Sequence, residues 1–363
     1  MPTPPDTPLH TRLLARIRET GPLSVAEYMT LCLLDPVDGY YPTRDPLGVD
    51  GDFVTAPEIS QMFGEALGLW VVQAWQDIGA PDRFNLVELG PGRGVMMADM
   101  LRAMRLSPPC FAACDVTLVE ASAALQAVQA KTLGPSEARV AWAKRLEDVS
   151  DAPTLIVGNE FLDCLPIRQF VRTDGAWSER RVGAEDGDLR FEIDGRPAPT
   201  ALVADLPDAE DGALLEVCPA SAQIVDHLAE RFAAQPGRAL FIDYGPAETE
   251  FGDTLQAIVR HEKVDPLADP GNADLTARVD FEALREMANA AELDVAGPAT
   301  QAAFLSRLGI EVRASALARA NPDSQALLGR QLKRLTGAEE MGELFKAVCV
   351  SAPGLPEPLG FGA

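Results

Sequence analysis

Histidine is scarce: three residues in 363, His10, His227 and His261, lie far apart in the sequence. No two stand at helical spacing, which excludes a two-histidine metal motif on one helix. The six cysteines, Cys32, Cys110, Cys114, Cys164, Cys218 and Cys349, form no Cys-x-x-Cys pair. Only Cys110 and Cys114 are close, and nothing completes a zinc site around them, so no metal is expected and the thiols read as small buried hydrophobes of a reducing compartment. Basic residues are also in deficit: 31 Lys and Arg against 55 Asp and Glu leave a net charge of −24. Duplex nucleic acid and anionic membranes both require a basic stripe, so neither is an expected partner. Long apolar runs are missing as well. The most continuous, Leu67 to Trp75, contains Gln73 and falls far short of the roughly 20 residues of a membrane-spanning helix. The first residues lack the basic-then-apolar order of a secretory signal, and no transit peptide is expected.

What is present is a chain with 47% hydrophobic and 24% charged residues, enough to bury one large core or two smaller ones. There is no internal repeat, and the only biased stretches are proline-rich ends. Residues 7–34 read as two helices. Thr7 and Pro8 start the first, Leu9, Leu13 and Ile17 share one of its faces, and Ser24 with Glu27 forms a capping box for the second. Asp38 to Ala56 reads as a long loop rich in Gly, Pro and Asp, of the kind that closes over a site. Thr55 and Glu58 predict the capped start of one helix running to Trp75. Strands are then expected at 86–89, 116–119, 140–143 and 155–157, alternating with helices at 95–106 and 122–133, the pattern of a parallel sheet with right-handed crossovers. After Pro166 the runs 169–172, 177–182 and 189–193, separated by Asp174-Gly175 and Asp186-Gly187, predict an antiparallel meander. The parallel pattern resumes with a helix at 220–232 and a strand at 239–242, and pauses again at 246–278. It ends with helices from Phe281, a strand near Val295 and a last strand at 345–350.

Glu88-Leu89-Gly90-Pro91-Gly92-Arg93-Gly94 stands where the first strand meets its helix. Glycines there allow close backbone approach and leave amides free at a helix N-terminus. The dinucleotide fingerprint needs Gly-x-Gly-x-x-Gly, but Val95 occupies its last position; a Walker loop would need Gly-Lys-Ser or Gly-Lys-Thr. An acid two residues before Gly-x-Gly-x-Gly is instead the spacing of methyltransferases that use S-adenosylmethionine. Gly90, Pro91, Gly92 and Gly94 would form the cradle, and Glu88 would lie near the cationic methionyl end. Glu120 closes the second strand, where a carboxylate can accept both ribose hydroxyls; NAD sites use the same device, so Glu120 argues for a nucleoside rather than for a particular one. At the end of the fourth strand, Gly158-Asn159-Glu160-Phe161-Leu162-Asp163 should face the transferable methyl. A guanidinium acceptor would need carboxylates to hold its planar fork. Candidates on the acceptor side are Glu160, Asp163, Glu58 and Asn159, with Tyr244 of Asp243-Tyr244-Gly245 after the fifth strand.

Further stretches extend the pattern from Tyr28 to Phe345: Asp38-Gly39-Tyr40-Tyr41, the run from Gly51 to Gly64, Asn159-Glu160-Phe161 with Asp163 to Pro166, Val264-Asp265-Pro266-Leu267, Asp269-Pro270-Gly271, Ala273-Asp274-Leu275-Thr276 and Met341 to Lys346. With these the sequence resembles the MidA-type methyltransferase family, whose mitochondrial members assist respiratory complex I assembly. The resemblance implies an S-adenosylmethionine-dependent methyltransferase and, for the mitochondrial members, methylation of an arginine on a complex I subunit. It also makes His261 and Asp265 candidates for substrate contact. The expected fold is a doubly wound, Rossmann-like α/β sheet of the class I methyltransferase type. Residues 1–78 would form an N-terminal helical cap and active-site loop, and 79–363 the methyltransferase domain, interrupted at about 167–215 and 246–278. The expected activity is protein-arginine N-methylation of a partner with an exposed arginine, in a bacterial cytoplasm or a mitochondrial matrix. Two alternatives stand beside it: a small-molecule methyltransferase, and an assembly chaperone that uses the fold for docking.

Overall fold

The computed structural model describes residues 8–43, 55–204, 206–259 and 262–362. Within them the chain divides into two compact units, each drawn from three segments. The segments Leu47–Leu162, Ile224–Glu248 and Val279–Ala363 form a sheet unit, and Met1–Pro46, Asp163–Gln223 and Thr249–Arg278 an insertion unit. The stretch 1–78 is therefore shared between the two, and the N-terminal helices fall in the same unit as both insertions.

The sheet unit has seven strands: β1 (Phe84–Leu89), β2 (Cys114–Val119), β3 (Arg139–Ala143), β4 (Thr154–Asn159), β5 (Gly237–Tyr244), β6 (Asp294–Thr300) and β7 (Phe345–Ser351). Their order is β6-β7-β5-β4-β1-β2-β3. The pairs from β3 to β5 are all parallel. β7 runs antiparallel to both β5 and β6, an orientation its apolar run does not reveal. Every residue of β1 and β4 is buried, as expected of central parallel strands covered on both faces, which read as continuous apolar runs rather than alternating ones. The chain winds outward from β1 through β2 to β3 and then returns to β4. The carboxyl ends of β1 and β4 therefore flank the switch point, where open α/β sheets bind ligands. Trp70, Phe84, Leu86, Met97, Met100, Leu155, Leu240 and Phe304 belong to the core of this unit.

The predicted helix from Thr55 to Trp75 is in fact two. Ala56–Ile59 forms one turn, and Gln61–Asp77 begins anew after Ser60, whose backbone is extended at φ −160°. Thr55 makes no side-chain cap; Ser60 Oγ accepts from the Met62 N–H at 3.3 Å. A serine oxygen that satisfies an orphan N–H favours restarting the helix there over continuing it.

In the insertion unit, helices Pro8–Thr20 and Val25–Leu34 form as read. The capping box is complete: the Glu27 N–H donates to Ser24 Oγ at 3.1 Å and the Ser24 N–H to Glu27 Oε2 at 2.8 Å. The meander is antiparallel, Arg168–Thr173 with Ala176–Glu185 and that strand with Asp188–Pro197. Leu214–Val217 joins its edge, and Gln256–Val259, Glu262–Val264 and Asp274–Thr276 make a three-stranded sheet. Leu9, Leu13, Tyr28 and Leu33 share one core with Leu255, Ala257, Leu267 and Leu275. Of the predicted long loop, Tyr40–Thr43 forms a helical turn; residues 44–54, like Thr7 and His261, lie outside the described residues. Among those described, no helix is long and apolar enough to cross a membrane.

Candidate cofactor and acceptor site

From β1 the chain turns through Gly90-Pro91-Gly92-Arg93-Gly94 into helix Val95–Met104. Gly90, Gly92 and Gly94 have φ of 62°, 51° and 77°, a region where a side chain costs roughly 1–2 kcal/mol; this explains glycine at every second position. The turn is tied down by the Gly94 N–H, which donates to Pro91 O at 2.7 Å, and by the Gly90 N–H, which donates to Val119 O at the end of β2 at 3.4 Å. Glu88, near the end of β1, is 2% exposed, and its Oε2 has no hydrogen-bond partner among the described residues. Burial pushes its carboxyl well above the usual range. An unpartnered buried acceptor is costly unless something satisfies it, and a cationic ligand would.

Glu120 is half-buried at the end of β2. Its Oε1 accepts from the Ser122 N–H at 2.7 Å and its Oε2 from Gln129 Nε2 at 3.2 Å. Burial raises its pKa, opposed by these bonds. Gln129 also donates to Gly92 O at 2.7 Å, so one side chain joins the acid to the glycine turn.

Across the switch point, Asn159 ends β4 and Glu160 follows at φ 51°, a conformation that costs a non-glycine residue stability and is associated with functional sites. Glu160 Oε1 accepts from the Ala56 N–H and from Asn159 Nδ2, both at 3.0 Å. Among the described residues nothing hydrogen-bonds Asn159 Oδ1, which is buried. The Glu160 pKa is raised by burial and lowered by the Ala56 and Asn159 bonds and by the nearby charge of Arg334. Asp243, at the end of β5 and 1% exposed, fixes the segment: its Oδ2 accepts from the N–H groups of Phe161 and Leu162 at 3.0 and 2.8 Å.

The remaining candidates are placed as follows. Glu58 sits on the Ala56–Ile59 turn and pairs with Arg93 of the glycine turn at 4.0 Å. Gln331 Nε2 donates to Ile59 O at 2.7 Å, so the helix Gln325–Thr336 brings Gln331 and Arg334 to the same end of the sheet. The Tyr244 ring packs against Phe345 of β7, centroids 5.8 Å apart. Asp163 belongs to the insertion unit, where its carbonyl accepts from the Ala277 N–H at 2.9 Å. Asp265, in the same unit, accepts from the Leu267 N–H at 2.9 Å, a local turn bond. Glu88, the glycines, Glu120, Asn159, Glu160, Glu58 and Tyr244 are thus all in the sheet unit, with Asp163 and Asp265 outside it. Sequence reading passed over Gln129, Gln331 and Arg334. For Gln129 a signal was available, because it occupies the buried stripe of helix Ala123–Leu133 between Leu125 and Leu133, where an apolar residue is expected.

A doubly wound sheet with its last strand reversed, a glycine turn after β1 and an acid closing β2 together define a nucleoside-binding α/β domain of the methyltransferase class. Residues 66–299 match the family described as "Putative S-adenosyl-L-methionine-dependent methyltransferase", and the chain belongs to that family. It is 38% identical over 370 residues to the human protein arginine methyltransferase NDUFAF7, mitochondrial, covering 94% of this chain and 82% of that one. To the Drosophila melanogaster homolog it is 37% identical over 371 residues, covering 93% and 83%. A crystal structure of a Burkholderia thailandensis protein bound to S-adenosyl-homocysteine superposes with a TM-score of 0.86 at 30% identity, covering 99% of this chain and 97% of that one.

The residues present fit S-adenosylmethionine. The cofactor carries an ammonium and a sulfonium, which suit the unpartnered Glu88 oxygen, and a ribose diol, which suits Glu120. It has no phosphate, which agrees with the pairing of Arg93, the basic residue of the turn, to Glu58.

Proposed function

We propose that this enzyme methylates an arginine guanidinium of a protein substrate, and that Asn159 and Glu160 hold the acceptor. The observation that carries the proposal is the pair of acceptors on consecutive residues at the end of β4. Asn159 Oδ1 is buried and has no hydrogen-bond partner among the described residues, and Glu160 is anchored through Oε1 alone by the Ala56 N–H and Asn159 Nδ2. A guanidinium offers paired N–H donors in a rigid planar fork, a donor set suited to two such oxygens. The relatives named protein arginine methyltransferases support the same acceptor. The family resemblance further points to a subunit of respiratory complex I as substrate, in a mitochondrial matrix or, in a bacterial cell, the cytoplasm.

Bound S-adenosylmethionine supplies an electrophilic methyl carbon on sulfur, already joined to a good leaving group. Glu88, the glycine turn and Glu120 would hold it by its two ends. The chain's remaining task is alignment, worth up to about 7–11 kcal/mol for a well-oriented pair. Glu160 and Asn159 orient one guanidinium nitrogen, while Glu58, paired with Arg93, and Tyr244, packed against Phe345 of β7, are the remaining candidates on the acceptor side. A guanidinium nitrogen that takes up a methyl group must shed one proton, and Glu160 Oε2 would accept it. A carboxyl whose pKa burial holds above the ordinary glutamate range is suited to that.

Incubation with labelled methyl donor and arginine-bearing protein substrate, followed by mass spectrometry, is expected to show methylarginine. Label confined to small molecules would defeat the acceptor assignment. Full rescue of a deletion strain by Gly92→Val would defeat catalysis altogether in favour of a docking role. Glu160→Gln is expected to lower kcat by roughly 10²-fold or more, as loss of a positioned acid–base group does. The acid limb of the wild-type pH profile should lie above the usual glutamate range and vanish in that variant.

A further inference from the structure

We infer that Gln129 is a positioning residue for the cofactor: held by Trp142, it locks the Glu120 carboxylate to the glycine turn, so that the ribose and methionyl ends are gripped by one rigid frame. The inference rests on the assignment of Glu120 to the ribose made above.

Gln129 is fully buried on the helix that follows β2. Its Oε1 accepts from Trp142 Nε1, on β3, at 2.8 Å. An indole N–H can only donate, so the amide oxygen must face Trp142 and the NH₂ must face away. Both amide hydrogens are then committed, one to Gly92 O at 2.7 Å and one to Glu120 Oε2 at 3.2 Å. The alternative flip would set N–H against N–H and leave two acceptors unmatched. With Oε1 of Glu120 taken by the Ser122 N–H, the carboxylate is held through both oxygens, and none of its partners carries a positive charge. Its charge remains available to a diol, and its orientation is set before the ligand arrives. A leucine at 129 would continue the Leu125–Leu133 stripe without these bonds. The glutamine gives the helix no apolar contact that leucine would not.

Calorimetry with S-adenosylhomocysteine and its 2′,3′-dideoxyribose analogue tests this on the full chain. The wild type should prefer the diol ligand by about tenfold or more, and each tenfold is about 1.4 kcal/mol. Gln129→Leu should weaken the diol ligand roughly 10-fold further than it weakens the dideoxy analogue, since a hydrogen bond to a charged group is worth about that much. Trp142→Phe removes only the donor that sets the amide and should show the same selectivity at roughly threefold. Equal losses for the two ligands in either variant, or no loss, would overturn the inference. If Gln129→Leu does not fold, Trp142→Phe decides alone by the same criterion. A wild type that binds both ligands equally overturns the ribose assignment and this inference with it. A wild type that binds neither overturns the cofactor reading itself.

Discussion

The two units differ in which buried polar atoms they leave without partners. In the insertion unit buried polar groups are spent on one another. Glu179, 2% exposed, is paired with Arg168 at 2.7 Å and with Arg181 at 2.5 Å. Asp35 takes two bonds from Arg12, at 3.0 and 2.8 Å, and Gln169 joins Glu216 to Asp253. The buried side-chain atoms left over there include the Nε of Arg172, Arg181 and Arg278, groups already bonded through another nitrogen. In the sheet unit the atoms left over include acceptors at strand ends, Glu88 Oε2 and Asn159 Oδ1. Leaving such oxygens unsatisfied costs stability, roughly 1–3 kcal/mol each for a neutral group. Their location at the switch point gives that cost a purpose, because a ligand with N–H and cationic groups would relieve it.

Single substitutions, one that empties space and one that overfills it, should break the two units separately. The largest effect is expected for Trp70→Ala in the sheet unit, where the ring is fully buried; such losses run roughly 3–5 kcal/mol. Hydrogen exchange should accelerate first in β1 and β4. Gly271→Ala is the counterpart in the insertion unit. Gly271 has φ +80°, and an added Cβ would sit 2.2 Å from Asp38 O, so left-handed strain and overpacking together predict roughly 2–5 kcal/mol. Its exchange signature should fall in 8–34 and 255–277 with β1 and β4 still protected. If either substitution loosens both units to the same degree, the division is geometric only and the contrast between them has no energetic basis.

The sheet unit was largely legible because its signals are local. A short strand of three apolar residues around Glu88, three glycines at alternate positions and an acid at the next strand end each declare themselves within a few residues. Gly271 shows why the insertion unit was not. Its partner is Asp38, more than two hundred residues away in the chain, and no spacing rule links Asp269-Pro270-Gly271 to Asp38-Gly39 even though both stood out as motifs. The antiparallel strands of the meander were readable one by one, yet not that Leu23–Ser24 would pair with Val182 and Arg181. Within the site, the glycines were found by type, whereas Gln129 needed its neighbours: only its place between two buried leucines marks it. Nor does the sequence mark the boundary between the units, which the chain crosses between Leu162 and Asp163, inside the run Gly158 to Asp163.

The smallest effect sharpens the contrast through pH. Asp99, on the helix that leaves the glycine turn, is 6% exposed and bonded to Arg102 Nη2 at 2.6 Å. Arg102 also serves Glu65 at 3.1 Å, and Glu65 is held by Arg313 at 2.7 and 3.0 Å. Burial raises the Asp99 pKa from 3.8 to about 6, against the pull of Arg102 and with a further push from Glu65 and Glu58. The folded state therefore binds this proton more tightly than the unfolded state does. The stability it contributes is present in full below 3.8 and is lost as pH rises through about 6. Asp35 has the opposite sign: Arg12 holds it down to about 2, so its contribution is present above 3.8 and is lost as pH falls through about 2. Urea midpoints measured across pH for Asp99→Asn and Asp35→Asn should then diverge from wild type in separate windows. The Asp99 difference should change only between 3.8 and about 6, and the Asp35 difference only on further acidification, between 3.8 and about 2. A flat Asp99 difference through its window would mean that Arg102 fully offsets burial, and that the sheet unit, like the insertion unit, leaves no carboxylate short of partners at this helix.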